Sequence, residues 1–147
     1  MRQMVKLAKH FLVPPSAILD PARRTFKLRL PIHTVSEANR ADHEHWRVRQ
    51  KRAKAQRSAV ALWAPRMANV PRDGSALPCT VELVRIAPRK LDSEDNDRMS
   101  LKHVRDGVAA WFGVDDRDPR VTWRYNFRRE QPRTYGVEII ITMADRP

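Results

Sequence analysis

The chain has 147 residues, a single cysteine, and 29 Lys/Arg against 17 Asp/Glu, for a formal net charge of +12 and a pI near 11.0. That length fits one domain with a core of its own, while Cys79 alone excludes an intramolecular disulfide and a multi-cysteine zinc site and suits a reducing, cytoplasmic setting. The apolar run Phe11 to Val13 is too short for a signal segment and stops at Pro14-Pro15, so neither a targeting sequence nor a membrane span is expected.

The charge is uneven. Residues 1–75 carry 16 Lys/Arg against 5 Asp/Glu, a net of +11, whereas residues 76–147 carry 13 against 12, a net of +1. A basic half of this kind is the electrostatic footprint of a nucleic-acid binder, because neutralising phosphates releases counterions and supplies most non-specific affinity. A solvated basic surface, or one facing acidic lipid or protein, is the plainer alternative.

In chain order, residues 1–24 mix apolar and basic positions, break at Pro14, Pro15 and Pro21, and read as a poorly defined N-terminal extension: one short helix or a surface segment. Phe26, Leu28 and Leu30 alternate with Lys27 and Arg29, the period of a half-buried strand. From Glu37 to Trp63 there is no Pro or Gly, and Ser36 is a suitable N-cap for a long helix. Trp46, Ala53 and Val60 at seven-residue spacing, with Ala59 and Trp63, predict a narrow apolar seam. Arg40, Arg47, Arg49, Lys51, Arg52, Lys54 and Arg57 fill much of the remaining circumference. The two histidines of His43-Glu44-His45 point about 200° apart on a helix and cannot chelate one ion.

Residues 65–78 read as a loop. Cys79 to Ile86 has the alternation of a second strand, in which Cys79 is a small buried apolar side chain. Leu101, Val104, Val108 and Trp111 then mark an amphipathic helix from about Asn96 to Phe112, with Gly113 as its C-cap. Gly107 inside it implies either a close backbone approach or a weaker helix. Val121, Trp123, Tyr125 and Phe127 define a strand, and Val137, Ile139, Ile141 and Met143 another, expected to pair as a hairpin with Arg124, Arg128, Arg129 and Arg133 outward. Outward arginines serve DNA contact or edge protection equally well. The expected fold is α+β: one domain, residues 1–147, in which a single mixed β-sheet is covered by a long basic helix and a shorter amphipathic one.

Against this basic background, Leu91 to Asp118 concentrates eight carboxylates: Asp92, Glu94, Asp95, Asp97, Asp106, Asp115, Asp116 and Asp118. Such a knot works against an anionic partner unless it is neutralised, and hard oxygen donors suit a divalent cation. The clusters at 92–97 and 115–118 nevertheless bracket a helix of about 16 residues, about 24 Å long. A metal site and a set of helix-capping and turn aspartates therefore both remain open on spacing alone.

Four features together resemble the RusA family of Holliday-junction resolvases, over roughly residues 26–143. They are Leu30-Pro31 with the Ser36 to Asn39 turn; Asp95-Asn96 after a strand and basic residues; Lys102 with Asp106; and Asp115-Asp116 before the closing strands. The resemblance implies a Mg²⁺-dependent endonuclease (Mn²⁺ serving in its place) of phage or prophage type, acting in DNA recombination and repair. It would be a homodimer resolving branched DNA, with no membrane and no small-molecule substrate. It also implies Asp92, Asp95 and Asp116 as metal ligands, Glu94 and Asp115 in reserve, and Lys102 as the cation beside the developing charge. Ser93 stands where the family has its first aspartate, so that ligand is Asp92 through a one-residue bulge, Glu94, or absent. Asn39, Arg40, Arg47, Arg49, Lys51, Arg52 and Lys90 would grip phosphates without reading sequence. A DNA-binding protein of the same fold without catalysis, and a basic phage structural or assembly protein, are the alternatives.

Overall fold

The structure, a computed structural model, describes residues 16–20, 24–37, 44–66, 76–92 and 94–144, with the side chains of residues 16–20, 66, 94 and 95 outside that description. Five strands form one mixed sheet: β1 (Ser16–Asp20), β2 (Thr25–Leu30), β3 (Cys79–Ala87), β4 (Val121–Arg129) and β5 (Gly136–Met143), in the order β1-β2-β5-β3-β4. Helix α1 spans Trp46–Trp63, and α2 (Glu94–Ser100) and α3 (Lys102–Phe112) link β3 to β4. The α+β class and the single mixed sheet are as the sequence predicts.

The expected terminal hairpin does not form. β4 runs parallel to β3, with Cys79 opposite Val121 and Ala87 opposite Arg129, while β5 lies between β2 and β3, antiparallel to both. The reason is burial. β5 is covered along nearly its whole length, with Val137, Ile139 and Ile141 fully buried, as a central strand requires. β4 alternates with exposed Thr122, Arg124, Asn126 and Arg128, the pattern of an edge. A strand also occupies Ser16–Asp20, pairing with β2 inside the segment read as an extension.

The core lies on the helix-covered face. Leu28, Leu30, Val81, Leu83, Ile139 and Ile141 meet Val60 of α1 and Leu101, Val104, Val108 and Phe112 of α2–α3. Cys79 is buried there, and the loss of solvation pushes its thiol up to about 11. Two helix boundaries differ from expectation. Glu44 and His45 interrupt the Glu37 to Trp63 run, so the cap of α1 is His45, whose Nδ1 accepts from the Arg47 amide at 3.2 Å, rather than Ser36. The second helix breaks at Leu101, which leaves the helical region (φ −97°, ψ 1°). Gly113 ends α3 at φ 69°, the left-handed cap its type favours.

Gly107 resolves to the close-approach reading. A Cβ placed there would stand 3.0 Å from Val60 Cβ and 3.4 Å from Arg57 Cα, so α3 sits directly against α1. No helix among the described residues is long and apolar enough to cross a membrane.

Candidate nucleic-acid interface

The close packing of α1 on α3 leaves an open groove of about 670 Å³ along their N-terminal halves, continued by α2. Arg49, Lys54 and Arg57 line it from α1 and Lys102 from α3. Glu37, the one acidic side chain among its described lining residues, is already committed. Its two oxygens accept from Arg52 Nε at 2.6 Å and Nη2 at 2.7 Å. Among the described residues the groove therefore presents a surplus of four cations. The first turn of α1 has no acidic residue, so the positive end of its dipole adds to the same field.

Trp46 and Met99 also line this groove and are exposed, at 51% and 40%. The Arg47 guanidinium lies 5.4 Å from the Trp46 ring, and His45 stacks on the same ring at 5.7 Å. An exposed aromatic platform beside a cationic track is what single-stranded or unpaired nucleic acid uses, bases on the ring and phosphates on the cations. The seven-residue spacing assigned Trp46 to the apolar seam. It projects instead from the first residue of α1, and Ala53, Ala59 and Val60 make the buried stripe.

Arg52 departs from its expected role. Besides Glu37 it donates to Glu44 through Nη1 at 2.9 Å and Nη2 at 2.7 Å, so two carboxylates hold its charge and its pKa is raised, first by Glu37. It clamps the segments preceding α1 to the helix. Arg47 and Lys51 are exposed on α1, and Lys90 is exposed beyond β3 on another part of the surface. Asn39 and Arg40 lie outside the described residues.

His103 sits at the back of the groove, with Nε2 3.8 Å from Glu37 and Nδ1 3.9 Å from Asp106. Those contacts favour the imidazolium, yet its pKa is lowered. Burial is the largest cause, Arg57 and Lys102 push the same way, and Glu37 and Asp106 oppose. At these separations the carboxylates do not make good hydrogen bonds, so desolvation prevails.

The acidic stretch is dispersed. Asp92 is exposed just beyond the C-terminal end of β3, whereas Asp116 precedes the N-terminal end of β4. The parallel register sets those strand ends about 26 Å apart at ~3.3 Å per residue. Asp115 Oδ1 accepts from the Arg117 amide at 2.8 Å. Asp118 accepts from the Arg120 side chain and amide, which hold it down to about 2. Asp116 Oδ2 lies 3.4 Å from Arg105 Nε, an ion pair without hydrogen-bond geometry, and its carbonyl accepts from Arg105 Nη2 and from the Trp123 indole at 3.0 Å. Asp106 faces His103, and Asp97 is buried.

Asp95 falls in the first turn of α2, with its side chain, like that of Glu94, outside the described residues. Carboxylate oxygens are the right donors for Mg²⁺. Among the described residues, however, no three His, Cys, Asp or Glu side chains gather closely enough to hold one ion. Lys102, expected beside those ligands, lines the groove with Arg49, Lys54 and Arg57 of α1.

No family model matches the chain, and no curated protein matches it. Among solved structures, the OmpA-like domain of FopA1 from Francisella tularensis subsp. tularensis SCHU S4 is similar with a TM-score of 0.38 at 15% identity. That likeness spans 89% of this chain and 83% of the other and is too loose to carry an argument.

Proposed function

We propose that the chain binds branched DNA through the α1–α3 groove and cuts it as a RusA-type, Mg²⁺-dependent endonuclease. The observation that carries the binding half is the grouping of Arg49, Lys54, Arg57 and Lys102 in one groove with the exposed Trp46 and Met99. Phosphate contacts of this kind fix position without reading sequence, so recognition is of shape and unpaired bases.

The catalytic half rests on the sequence resemblance. The resemblance names Asp92, Asp95 and Asp116 for Mg²⁺, whose chemistry would be to activate water and neutralise charge on the phosphodiester. The strand ends beside Asp92 and Asp116, however, lie about 26 Å apart at ~3.3 Å per residue, so those two do not reach one ion. Lys102 would hold a phosphate of the same strand in the groove. A homodimer would offer two such grooves to a four-way junction.

A second reading, the same DNA binding without catalysis, is favoured by the Arg105–Asp116 ion pair, which occupies one of the three ligands. A synthetic four-way junction incubated with Mg²⁺ and wild type, Asp95→Asn or Asp116→Asn separates them. The endonuclease reading expects nicking by wild type that both variants abolish while still binding. Binding without any Mg²⁺-dependent nicking leaves the second reading, and no binding at low salt overturns both.

A further inference from the structure

A second cavity, of about 400 Å³, opens where the C-terminal end of β3 meets the loop after β2. Its anchor is Arg85. By strand parity Arg85 shares the core face with Val81 and Leu83, and it is only 5% exposed. Its described hydrogen bonds go to neutral oxygens: Nε to Thr34 Oγ1 at 3.1 Å and Nη1 to the Arg89 carbonyl at 2.9 Å. A guanidinium carries five N–H donors, so three are not accounted for by those bonds. Phe127 lies 5.8 Å from the guanidinium carbon, a further weak stabilisation of the cation.

Burial of a guanidinium is costly without an ionic partner. Burial is also the largest influence on its pKa, which it lowers, while Asp97 favours the charged form through its field. The cavity worsens the imbalance, because Lys90 and Arg89 also line it and no Asp or Glu is among its described lining residues. An independent observation points the same way. Ser36 Oγ, on the same cavity, is buried and has no hydrogen-bond partner among the described residues. Spare guanidinium donors, an unsatisfied hydroxyl and a flexible ammonium around one acid-free cavity form a donor set with a missing acceptor.

We infer that this cavity is a phosphate-binding site in which Arg85, Ser36 and Lys90 hold the oxygens of one phosphate group. Arg85 supplies the fixed planar donors, Ser36 a hydroxyl donor, and Lys90 a mobile charge at the rim. His33 stacked on Tyr135 at 3.7 Å forms an aromatic wall of the same cavity, suited to a group attached to the phosphate. Phosphate of a nucleic-acid strand and free phosphate or nucleotide share this chemistry. The site stands apart from the α1–α3 groove, since no described residue lines both.

The test is a titration of the ¹⁵N-labelled chain with inorganic phosphate at constant ionic strength, following the Arg85 Nε–H resonance and, in every variant, the backbone amides of residues 33–36, 89 and 90. Wild type should show a saturable shift that chloride does not reproduce. Ser36→Ala and the exposed Lys90→Gln should each weaken phosphate by about tenfold, as loss of a bond to a charged group does, and Arg85→Met should abolish it. Displacement of phosphate by a short 5′-phosphorylated oligonucleotide, and more weakly by its 5′-hydroxyl form, would assign the site to a strand terminus. Equal displacement by both would assign it to backbone phosphate, and displacement by neither to a free phosphate compound. The inference is overturned if inorganic phosphate produces no saturable shift, or if Ser36→Ala and Lys90→Gln both bind it as wild type does. Lys54→Ala with Arg57→Ala should leave this titration unchanged, so a failure here is distinct from a failure of the groove.

Discussion

Gly107 of α3 approaches Val60 of α1 so closely that an added Cβ would meet Val60 Cβ at 3.0 Å. That contact fixes how the two helices lie together, and so the spacing of the walls of the cationic groove, which Lys54 and Arg57 line from one helix and Lys102 from the other. Gly107→Ala gains about 1 kcal/mol of helix propensity, but it pushes a β-carbon against a branched side chain and the Arg57 backbone. Overpacking of this sort costs about 1–3 kcal/mol. The expected result is a net loss of up to about 2 kcal/mol in urea unfolding, with weaker DNA binding because Lys102 moves relative to Lys54. Unchanged stability would mean that the helices slide apart freely.

Two arginines on one helix should behave in opposite ways. Arg52 is held by Glu37 and Glu44, whereas Arg57 is exposed on the groove. Arg52→Met removes the partner of two largely buried carboxylates and should cost about 3 kcal/mol. Its effect on DNA affinity should be slight once the folded fraction is accounted for. Arg57→Ala should leave the denaturation midpoint nearly unchanged and weaken DNA binding. Chemical denaturation and fluorescence anisotropy on the same two proteins decide it.

His103 supplies a pH dependence with a definite sign. Its folded pKa lies below its ordinary value of 6.5, so between the two values the unfolded chain binds a proton that the folded chain refuses. Stability should therefore fall as pH drops below about 6.5, and His103→Gln should flatten that part of the profile. Phosphates in the groove would favour the imidazolium, so DNA affinity should rise on acidification in wild type and lose that trend in His103→Gln. Denaturation profiles and binding curves across pH 5 to 8 are the measurement, with ~0.15 M salt held constant.

Much of the fold is legible in the chain. Alternation marks β2, β3, β4 and β5, and the stripe Ala53, Ala59 and Val60 marks the buried side of α1. Strand order is not legible, because alternation tells which face a residue takes and not which strand lies beside it. The β4–β5 hairpin was the natural expectation, and only the heavier burial of β5 distinguishes a central strand from an edge. Strand β1 is flanked by prolines that resemble loop punctuation. The break at Leu101 escapes notice because Leu101 and Val104 keep helical spacing across it.

The candidate site divides in the same way. The cations of α1 are visible as a face, but their meeting with Lys102 depends on the close contact at Gly107, which a sequence only hints at. The carboxylates of residues 115–118 are largely occupied in building a turn, as aspartates before a strand commonly are. Arg85 could have been found by parity alone, since it stands in step with Val81 and Leu83 on the core side of β3.

The most direct measurement is the salt dependence of four-way-junction binding by wild type and by the combined Lys54→Ala, Arg57→Ala, Lys102→Ala variant. Binding through the groove predicts that wild-type log affinity falls with log salt at a slope of about −3 or steeper, at roughly −0.9 per neutralised phosphate. The variant should lose most of its affinity and flatten the slope by about 2 to 3 while keeping the wild-type denaturation midpoint. A folded variant with unchanged affinity and slope would contradict nucleic-acid binding in the α1–α3 groove.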